Sequence, residues 1–106
     1  MRTYVITGGT TGIGACVRRQ LQELGHTVYN VDYKGGDFCA DLSSKEGRQA
    51  ALKAIHDTFP DGIDGIICNA GVGPVRPAEM IIALNFFACV EMAEGVRDLL
   101  VKKQGC

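Results

Sequence analysis

A glycine-rich turn between a short apolar strand and an amphipathic helix constrains the fold of this chain more than any other feature. Tyr4-Val5-Ile6 is apolar and partly β-branched, which is typical of a buried strand, and it runs directly into Thr7-Gly8-Gly9-Thr10-Thr11-Gly12-Ile13-Gly14. After the turn, apolar residues recur at helical spacing, at Ile13, Val17, Leu21 and Leu24. A turn in this position can present the first backbone N–H groups of the helix to a pyrophosphate. The alternative is a flexible glycine turn that binds nothing.

Each glycine of the turn has a distinct predicted role. Gly8 allows a tight turn, Gly12 lets the backbone approach a pyrophosphate without a Cβ in the way, and Gly14 lets the helix pack closely on the strand. Thr10 and Thr11 can add hydroxyl donors. No lysine follows the last glycine, which disfavours a P-loop that binds a triphosphate.

The remainder of the chain alternates strands and helices. We predict a second strand over residues 27–31 that closes at Asp32, a short strand over 38–40, and a helix capped by Ser43 or Ser44 that continues through Ile55. A strand over Ile63–Cys68 and a long helix from about Glu79 to Lys103 follow, the helix with a stripe at Ile82, Phe86, Cys89, Ala93, Val96 and Leu100. This order predicts one α/β domain over residues 1–106, a Rossmann-like parallel sheet with helices on both faces, truncated after its fourth strand and the following helix.

Composition excludes several classes of function. The net charge of −1 gives no electrostatic signal for binding nucleic acid or an anionic membrane. The longest apolar stretch, around Met80 to Val90, is interrupted by Asn85 and is too short to span a bilayer. The five cysteines are widely spaced and odd in number, so we expect neither a metal site nor a disulfide framework, and we expect most of them in the core of a cytoplasmic protein. Met1-Arg2-Thr3 runs straight into the first strand, so no signal peptide is expected.

Three motifs together resemble the short-chain dehydrogenase/reductase family. They are the Thr-preceded Gly-x-x-x-Gly-x-Gly turn, Asn69-Ala70-Gly71 at the end of a later strand, and Asn85 in the long helix. The resemblance covers the whole chain. Further stretches are most similar to the 3α-hydroxysteroid dehydrogenase/carbonyl reductase branch, namely residues 11–15, 25–26, 40–43, 46–48, 64–65 and 70–74. The resemblance implies hydride transfer between NAD(H) and a small alcohol or carbonyl compound, such as a steroid.

Asp32 favours NAD over NADP as the cofactor. It ends the second strand, eighteen residues after Gly14, where a carboxylate can accept hydrogen bonds from the adenosine ribose hydroxyls. A carboxylate there would repel a 2′-phosphate, and Lys34 is the only nearby cation in the sequence. The alternative is an ordinary exposed loop aspartate.

The resemblance also assigns cofactor contacts beyond the turn. It implies that Ile13 belongs to the cofactor-binding loop, that Asp41 contacts the adenine amino group, and that the Leu42 N–H contacts the ring. The competing interpretation places Asp41 and Leu42 in the N-cap region of the next helix, and both roles can coexist. The segment Asn69-Ala70-Gly71 would contact the nicotinamide ribose, or only brace the sheet.

The catalytic residues of the family are represented here only in part. The family uses a Tyr with a Lys four residues later, a Ser that orients the substrate, and an Asn that holds a proton-relay water. Only the Asn is present, as Asn85, which could instead brace a helix, and Ala88 stands where the family often has Gly. None of the tyrosines has a Lys four residues later, neither Tyr4, Tyr29 nor Tyr33.

We therefore expect this chain to be the N-terminal, cofactor-binding part of an oxidoreductase about twice as long, or a natural short product, without dehydrogenase turnover of its own. A non-catalytic dinucleotide-binding module and a structural fragment are the alternatives. In the family that the chain resembles, a further strand lies outside the Ile63–Cys68 strand and the long helix packs between subunits, so the resemblance implies that this strand edge and the apolar helix stripe are open here. We expect the chain to self-associate as a homo-oligomer, or to bind a partner that covers this edge. A clean monomer by light scattering at micromolar concentration would contradict self-association.

Overall fold

The computed structural model describes residues 1–105, so Cys106, one of the five cysteines, lies outside the described residues. Along this range, the elements follow the order β1 (Thr3–Thr7), α1 (Gly12–Glu23), β2 (Thr27–Asp32), β3 (Phe38–Cys39), α2 (Lys45–Thr58), β4 (Gly65–Cys68), α3 (Ala78–Ile82), a π-helical turn (Ala83–Phe87), α4 (Ala88–Gly95) and α5 (Arg97–Lys103). No helix in this described part is long and apolar enough to cross a membrane.

The strands form one parallel sheet in the order β3-β2-β1-β4, which confirms the predicted Rossmann-like α/β fold. The chain crosses from β1 to β2 in one direction and from β3 back to β4 in the other. Because both crossovers are right-handed in such sheets, α1 and α2 pack on opposite faces. The carboxyl ends of β1, β2 and β4 therefore meet at one edge, at the point where the strand order reverses.

The main core lies on the face covered by α2 and α4. Val5 and Val31 point into it from the sheet and pack with side chains of these helices, among them Ile55 and Met92. Ile6 follows Val5 in β1, so its side chain points to the opposite face, where it is also fully buried. Residues of β1 are thus buried on both sides, as expected of a central parallel strand.

The long helix predicted over residues 79–103 is interrupted, so that prediction is wrong in part. A π-helical turn occupies Ala83–Phe87, and a break at Val96 separates α4 from α5. Because a π-turn holds more residues than an α-turn, it rotates the helix face that follows it. Val96 of the predicted stripe is buried, but Phe86 and Cys89 are exposed, and the buried positions are Ala88, Met92, Val96 and Leu99.

The expectation that most cysteines lie in the core is also wrong for the described residues. Cys39 and Cys89 are exposed, and Cys16 and Cys68 are partly buried. Cys39 lies on the edge strand β3, and Cys89 lies on the outer side of α4, which explains their exposure. The Cys68 Sγ lies 3.7 Å from the Cys89 carbonyl oxygen. Burial, followed by the nearby Cys89 thiol, raises the pKa of Cys68 to about 12, so this thiol stays protonated at neutral pH.

Large apolar side chains remain exposed along the helices that follow β4. Ile82, Phe86, Phe87 and Val90 form this outer helix face, and the two phenylalanine rings contact each other edge to face at 5.2 Å. Within the described chain, β4 also pairs only with β1. The open edge of β4 was expected from the sequence. Of the predicted apolar stripe, Ile82, Phe86 and Cys89 are exposed, whereas Val96 is buried and Ala93 and Leu100 are partly buried.

The side chain of His56 links α2 to α5 through two acceptor-only partners. Its Nδ1 lies 2.8 Å from the Leu52 carbonyl oxygen, and its Nε2 lies 3.0 Å from Asp98 Oδ1. Only the doubly protonated ring can donate to both. The Leu52 carbonyl and, after it, Asp98 raise the pKa of His56 above 6.5, although burial and Lys102 oppose the shift.

We predict that this contact makes stability depend on pH. A folded-state pKa above the unfolded value of 6.5 means that the stabilisation is complete below pH 6.5 and is lost as pH rises through the folded-state pKa. The melting temperature of wild type should therefore fall relative to His56→Gln as pH rises from 6.5 into the alkaline range. Asp98→Asn serves as the partner control and should weaken the same pH dependence. Parallel melting curves for wild type and His56→Gln across this range would contradict the prediction.

Candidate functional site

A cleft of about 780 Å³ opens at the carboxyl ends of the strands. Its volume falls within the range of small-molecule and cofactor sites. Most of the predicted binding residues line this cleft, namely Gly8, Thr11, Ile13, Asp32, Asp41, Leu42, Asn69, Ala70 and Gly71. Thr10, Gly12, Gly14 and Asn85 are not part of its lining. The structure thus brings together the glycine turn, the end of β2, the β3–α2 loop and the end of β4.

The glycine turn uses backbone conformations and close contacts that other residues tolerate poorly. Gly8 and Gly12 have φ angles of +75° and +60°. A Cβ on Gly14 would overlap the Gly8 carbonyl oxygen and lie 2.5 Å from Asn69 Nδ2. The predicted close packing at Gly14 is therefore present. The space around Gly12 is open: apart from the adjacent residues and the backbone of α1 itself, no described atom lies within 4 Å of the point where a Cβ would lie.

The N-terminus of α1 is available to an anion. Thr11 is the N-cap residue, but its side chain makes no capping hydrogen bond to the described residues, and no acidic residue lies in the first turn. The first backbone N–H groups of the helix therefore keep their donor capacity and the positive end of the helix dipole. This arrangement suits a phosphate group.

The end of β4 braces the glycine turn. Asn69 Nδ2 donates to the Gly8 carbonyl oxygen at 3.0 Å. The hydroxyl oxygen of Thr7 accepts hydrogen bonds from the backbone N–H groups of Asn69 and Ala70, at 3.1 and 3.0 Å. The bracing role considered for Asn69-Ala70-Gly71 is therefore present, and these residues also line the cleft. Sequence reasoning gave the buried Thr7 no role; a hydroxyl at the end of an apolar strand was the available signal.

Asp32 lies at the junction of β2 and the glycine turn. Its Oδ2 accepts from the Thr10 backbone N–H at 3.1 Å, and its Oδ1 accepts from the Tyr33 backbone N–H at 2.8 Å. Each carboxylate oxygen retains a lone pair for a further donor, such as a hydroxyl group. Asp32 is therefore held in place at the rim of the cleft while it can still accept hydrogen bonds.

The β3–α2 loop combines a structural turn with cleft-lining residues. Asp41 Oδ1 accepts from the backbone N–H and the hydroxyl of Ser43, at 3.0 and 2.6 Å. Of the two predicted caps, Ser44 is the one that caps α2, since its hydroxyl accepts from the Gly47 N–H at 3.0 Å. Arg48 Nη1 donates to the Leu42 carbonyl oxygen at 3.0 Å. The predicted N-cap role of this loop is therefore present, and Asp41 and Leu42 still line the cleft.

Asn85 lies in the middle of the π-helical turn and holds the loop after β4. Its Oδ1 accepts from the Val72 N–H at 2.8 Å, and its Nδ2 donates to the Val72 carbonyl oxygen at 3.1 Å. Val72 lines the cleft. The Asn85 amide therefore joins the helix to the loop and holds Val72 in the wall of the cleft.

Charge is distributed unevenly along the cleft. Asp32 and Asp41 line it near the ends of β2 and β3, and Arg76 is the single cation among the described lining residues. Within residues 1–105, no group of three or more side chains is placed to hold a metal ion. Tyr33, Arg76 and Met80 line the cleft without having been predicted, because nothing in their local sequence marks them.

The chain is similar to known proteins along its whole length. The family described as short chain dehydrogenase matches residues 2–106. A 3-alpha-hydroxysteroid dehydrogenase/carbonyl reductase from Comamonas testosteroni is 33% identical over 103 residues, which are 96% of this chain and 40% of that protein. A coniferyl-alcohol dehydrogenase from a Pseudomonas species is 32% identical over 90% of this chain and 38% of its own length.

Solved structures agree with these sequence matches. The crystal structure of a 3-alpha-hydroxysteroid dehydrogenase from Pseudomonas sp. B-0831, complexed with NADH, superposes with a TM-score of 0.92 at 35% identity. It is matched over 94% of this chain and 40% of its own. The chain thus spans about 40% of the length of these relatives.

Proposed function

The chain belongs to the short-chain dehydrogenase family, and from that premise we propose that it is the NAD(H)-binding part of an oxidoreductase that interconverts an alcohol and a ketone. One observation carries the proposal: the glycine turn and the Asp32 carboxylate lie on the same cleft at the carboxyl ends of the strands. The similar protein from Pseudomonas sp. B-0831 was crystallised with NADH, which supports the choice of cofactor.

The residues of the cleft fit this cofactor. The uncapped first turn of α1 and the open space at Gly12 suit the pyrophosphate. The Asp32 carboxylate suits the adenosine ribose hydroxyls and opposes a 2′-phosphate, so NADP is the less favoured cofactor. We assign Asp41 and Leu42 to the adenine, and the segment 69–71 to the nicotinamide ribose. Thr10, Thr11, Ile13 and the glycines of the turn complete the proposed site.

The bound cofactor supplies the hydride that reduces a carbonyl group, or accepts the hydride from an alcohol. What this chain contributes is binding and orientation. Asn85 holds Val72 at the cleft wall, which gives it a supporting role. A steroid or another small carbonyl compound is the proposed substrate class, by analogy with the relatives' names.

Cofactor titration tests the proposal. We expect the fluorescence of NADH to change in intensity or wavelength when it binds to wild type. We expect wild type to bind NADH at least about tenfold more tightly than NADPH. Asp32→Ala should weaken NADH binding about tenfold and reduce the discrimination against NADPH. Asp61→Ala, which removes an exposed acid from a distant turn, is the control and should change neither affinity. Equal affinities of the two cofactors for wild type would refute the assignment.

A turnover assay separates the cofactor-binding part from a complete enzyme. We propose that residues 1–106 bind NADH without oxidising it, since no Tyr-x-x-x-Lys occurs in them. Carbonyl-dependent NADH oxidation that disappears in Asn85→Ala would contradict this. A longer reading frame with a Ser and a Tyr-x-x-x-Lys would select the oxidoreductase over a non-catalytic dinucleotide-binding module.

We further propose a cytoplasmic homo-oligomer. The exposed outer helix face, Ile82, Phe86, Phe87 and Val90, supports self-association because exposed apolar clusters mark contact surfaces. The four free thiols among the described residues suit a reducing compartment. Light scattering at micromolar concentration tests the first point, and a monodisperse monomer would contradict it.

A further inference from the structure

Asn30 is a buried polar side chain beneath the glycine turn, and sequence reasoning gave it no role. It lies on β2, two residues before Asp32, and only 2% of its surface is exposed. Asn30 is the register partner of Ile6 in β1. Its side chain lies on the face of the sheet opposite to that of Val31. An amide in such an apolar position requires hydrogen-bond partners.

Those partners are two successive residues of the turn. Asn30 Oδ1 accepts from the Gly9 backbone N–H at 2.8 Å, and Asn30 Nδ2 donates to the Thr10 hydroxyl oxygen at 3.1 Å. A Cβ on Gly9 would lie 2.7 Å from Asn30 Oδ1, so the contact requires glycine at position 9. The other side of the Gly9 peptide is also held, because Arg18 Nε donates to its carbonyl oxygen at 3.0 Å.

Asn30 is itself fixed by the loop that follows β2. The Asn30 backbone N–H donates to Asp37 Oδ2 at 2.8 Å, and the Asp37 N–H donates to the Asn30 carbonyl oxygen at 2.8 Å. The backbone of Asn30 is therefore fixed, and its buried side chain has little room to move with the turn. It acts as a fixed support to which Gly9 and Thr10 are fastened.

The orientation of Thr10 follows from this support. With Gly9 and the Thr10 hydroxyl held by Asn30, the Thr10 backbone N–H points at Asp32 Oδ2, 3.1 Å away. Because Asn30 Nδ2 donates to the Thr10 oxygen, the Thr10 hydroxyl hydrogen is left to donate elsewhere. By holding Thr10, Asn30 thus orients the Asp32 carboxylate, which we assign to the ribose, and leaves the Thr10 hydroxyl as a donor beside that carboxylate.

We propose that Asn30 is a positioning residue for cofactor selectivity, and that it acts by holding Gly9 and Thr10 so that Thr10 orients Asp32. This inference rests on the proposed NAD(H) function. If the turn is released, the Thr10 N–H leaves Asp32, the carboxylate loses its fixed direction, and the freed N–H groups can donate to a 2′-phosphate. Loss of Asn30 therefore lowers the affinity for NADH more than the affinity for NADPH.

Two substitutions of opposite character test the proposal. Asn30→Leu removes both contacts while it extends the apolar surface of Ile6. Asn30→Asp keeps an acceptor for the Gly9 N–H but buries a charge. If Asn30 were merely structural, the buried charge of Asn30→Asp should be the more harmful change for every property. If it positions the turn, Asn30→Leu should weaken NADH binding about tenfold, and Asn30→Asp by less than about threefold.

The selectivity ratio and a ligand-free measurement provide the readouts. We expect Asn30→Leu to move the NADPH-to-NADH ratio of dissociation constants at least about fivefold toward NADPH. We also expect faster amide hydrogen exchange at Gly9 and Thr10 in the same variant. Asp64→Leu is the matched control: it removes the acceptor for the Thr3 N–H, at 2.7 Å, at the opposite end of β1. It should lower stability and leave both readouts unchanged.

Each result has a definite consequence. An unchanged selectivity ratio in Asn30→Leu, or the same change in Asp64→Leu, overturns the positioning role while NADH binding by wild type still supports the proposed function. If wild type binds neither cofactor, the proposed function fails. The amide hydrogen exchange of Gly9 and Thr10 then tests whether Asn30 holds these two residues. Unchanged exchange in Asn30→Leu overturns that claim.

Discussion

Replacing Gly14 with alanine should lower the free energy of unfolding by about 3 kcal/mol and abolish NADH binding at micromolar concentration. Gly14 lies within α1, where alanine would favour the helix by about 1 kcal/mol. The added Cβ would, however, overlap the Gly8 carbonyl oxygen and crowd Asn69 Nδ2 at 2.5 Å. The overlapped atom is backbone and cannot rotate away, so the clash outweighs the gain in helix propensity. The hydrogen bond from Asn69 to Gly8 is lost with it.

Thermal unfolding followed by circular dichroism would show this effect as a fall of roughly 15 °C in melting temperature. Gly25→Ala is the matched control. Gly25 has a φ of +89°, and no described atom outside its adjacent residues lies within 4 Å of its Cβ position, so alanine should cost about 1 kcal/mol and leave NADH binding intact. Gly12 also has a positive φ, of +60°, and Gly12→Ala should in addition weaken NADH binding. Equal melting temperatures for Gly14→Ala and Gly25→Ala would show that the close packing is not needed.

Arg48→Met should lower the free energy of unfolding by about 2 kcal/mol, because it leaves a partly buried carboxylate without its partner. Arg48 Nε lies 2.5 Å from Glu91 Oε2, and the two side chains are 11% and 34% exposed. Arg48 also donates to the Leu42 carbonyl oxygen at 3.0 Å, so its loss frees the cleft-lining loop before α2. We therefore expect a rise of about threefold in the NADH dissociation constant in addition. Chemical denaturation and NADH titration measure the two effects.

A second ion pair has the same N–O distance but is exposed, so comparing the two pairs isolates the effect of burial. Lys53 Nζ also lies 2.5 Å from a carboxylate, that of Asp57, but these side chains are 77% and 64% exposed. Lys53→Met should therefore cost less than about 0.5 kcal/mol. The double variant Arg48→Met/Glu91→Leu should recover part of the loss, since it removes the unpaired charge as well. Similar losses for Arg48→Met and Lys53→Met would mean that burial does not strengthen the first pair.

The parts of the fold that depend on local pattern were predictable from the sequence. Strand β1 contains the apolar run Tyr4-Val5-Ile6, and helix α1 contains the helically spaced Val17 and Leu21. Glycines with positive φ mark the turns at Gly8, Gly12 and Gly25, where side chains are disfavoured by sterics. The parallel α/β sheet followed from the alternation of strands and helices and from crossover handedness, which are also properties of short segments and their connections.

The contacts that shape the site were not predictable in this way. Asn30 and Thr7 act on residues of other segments, and nothing in their own neighbourhood identifies the partner. The π-helical turn at Asn85 was missed because the apolar spacing on either side fits a regular helix. The side chain of Asn85 bonds to Val72 of a loop thirteen residues earlier, a tertiary contact that periodicity does not encode.

The bracing of the glycine turn has a consequence for the order in which the protein folds. The turn is held by Asn30, 21 residues beyond Gly9, and by Asn69, 61 residues beyond Gly8. Contacts over such separations form slowly because long loops must close first. Helix α1 can form early from its own sequence, but the turn before it reaches its final shape only once β4 has docked. In a refolding experiment, the ability to bind NADH should therefore appear later than helical circular dichroism, and it would report completion of the sheet.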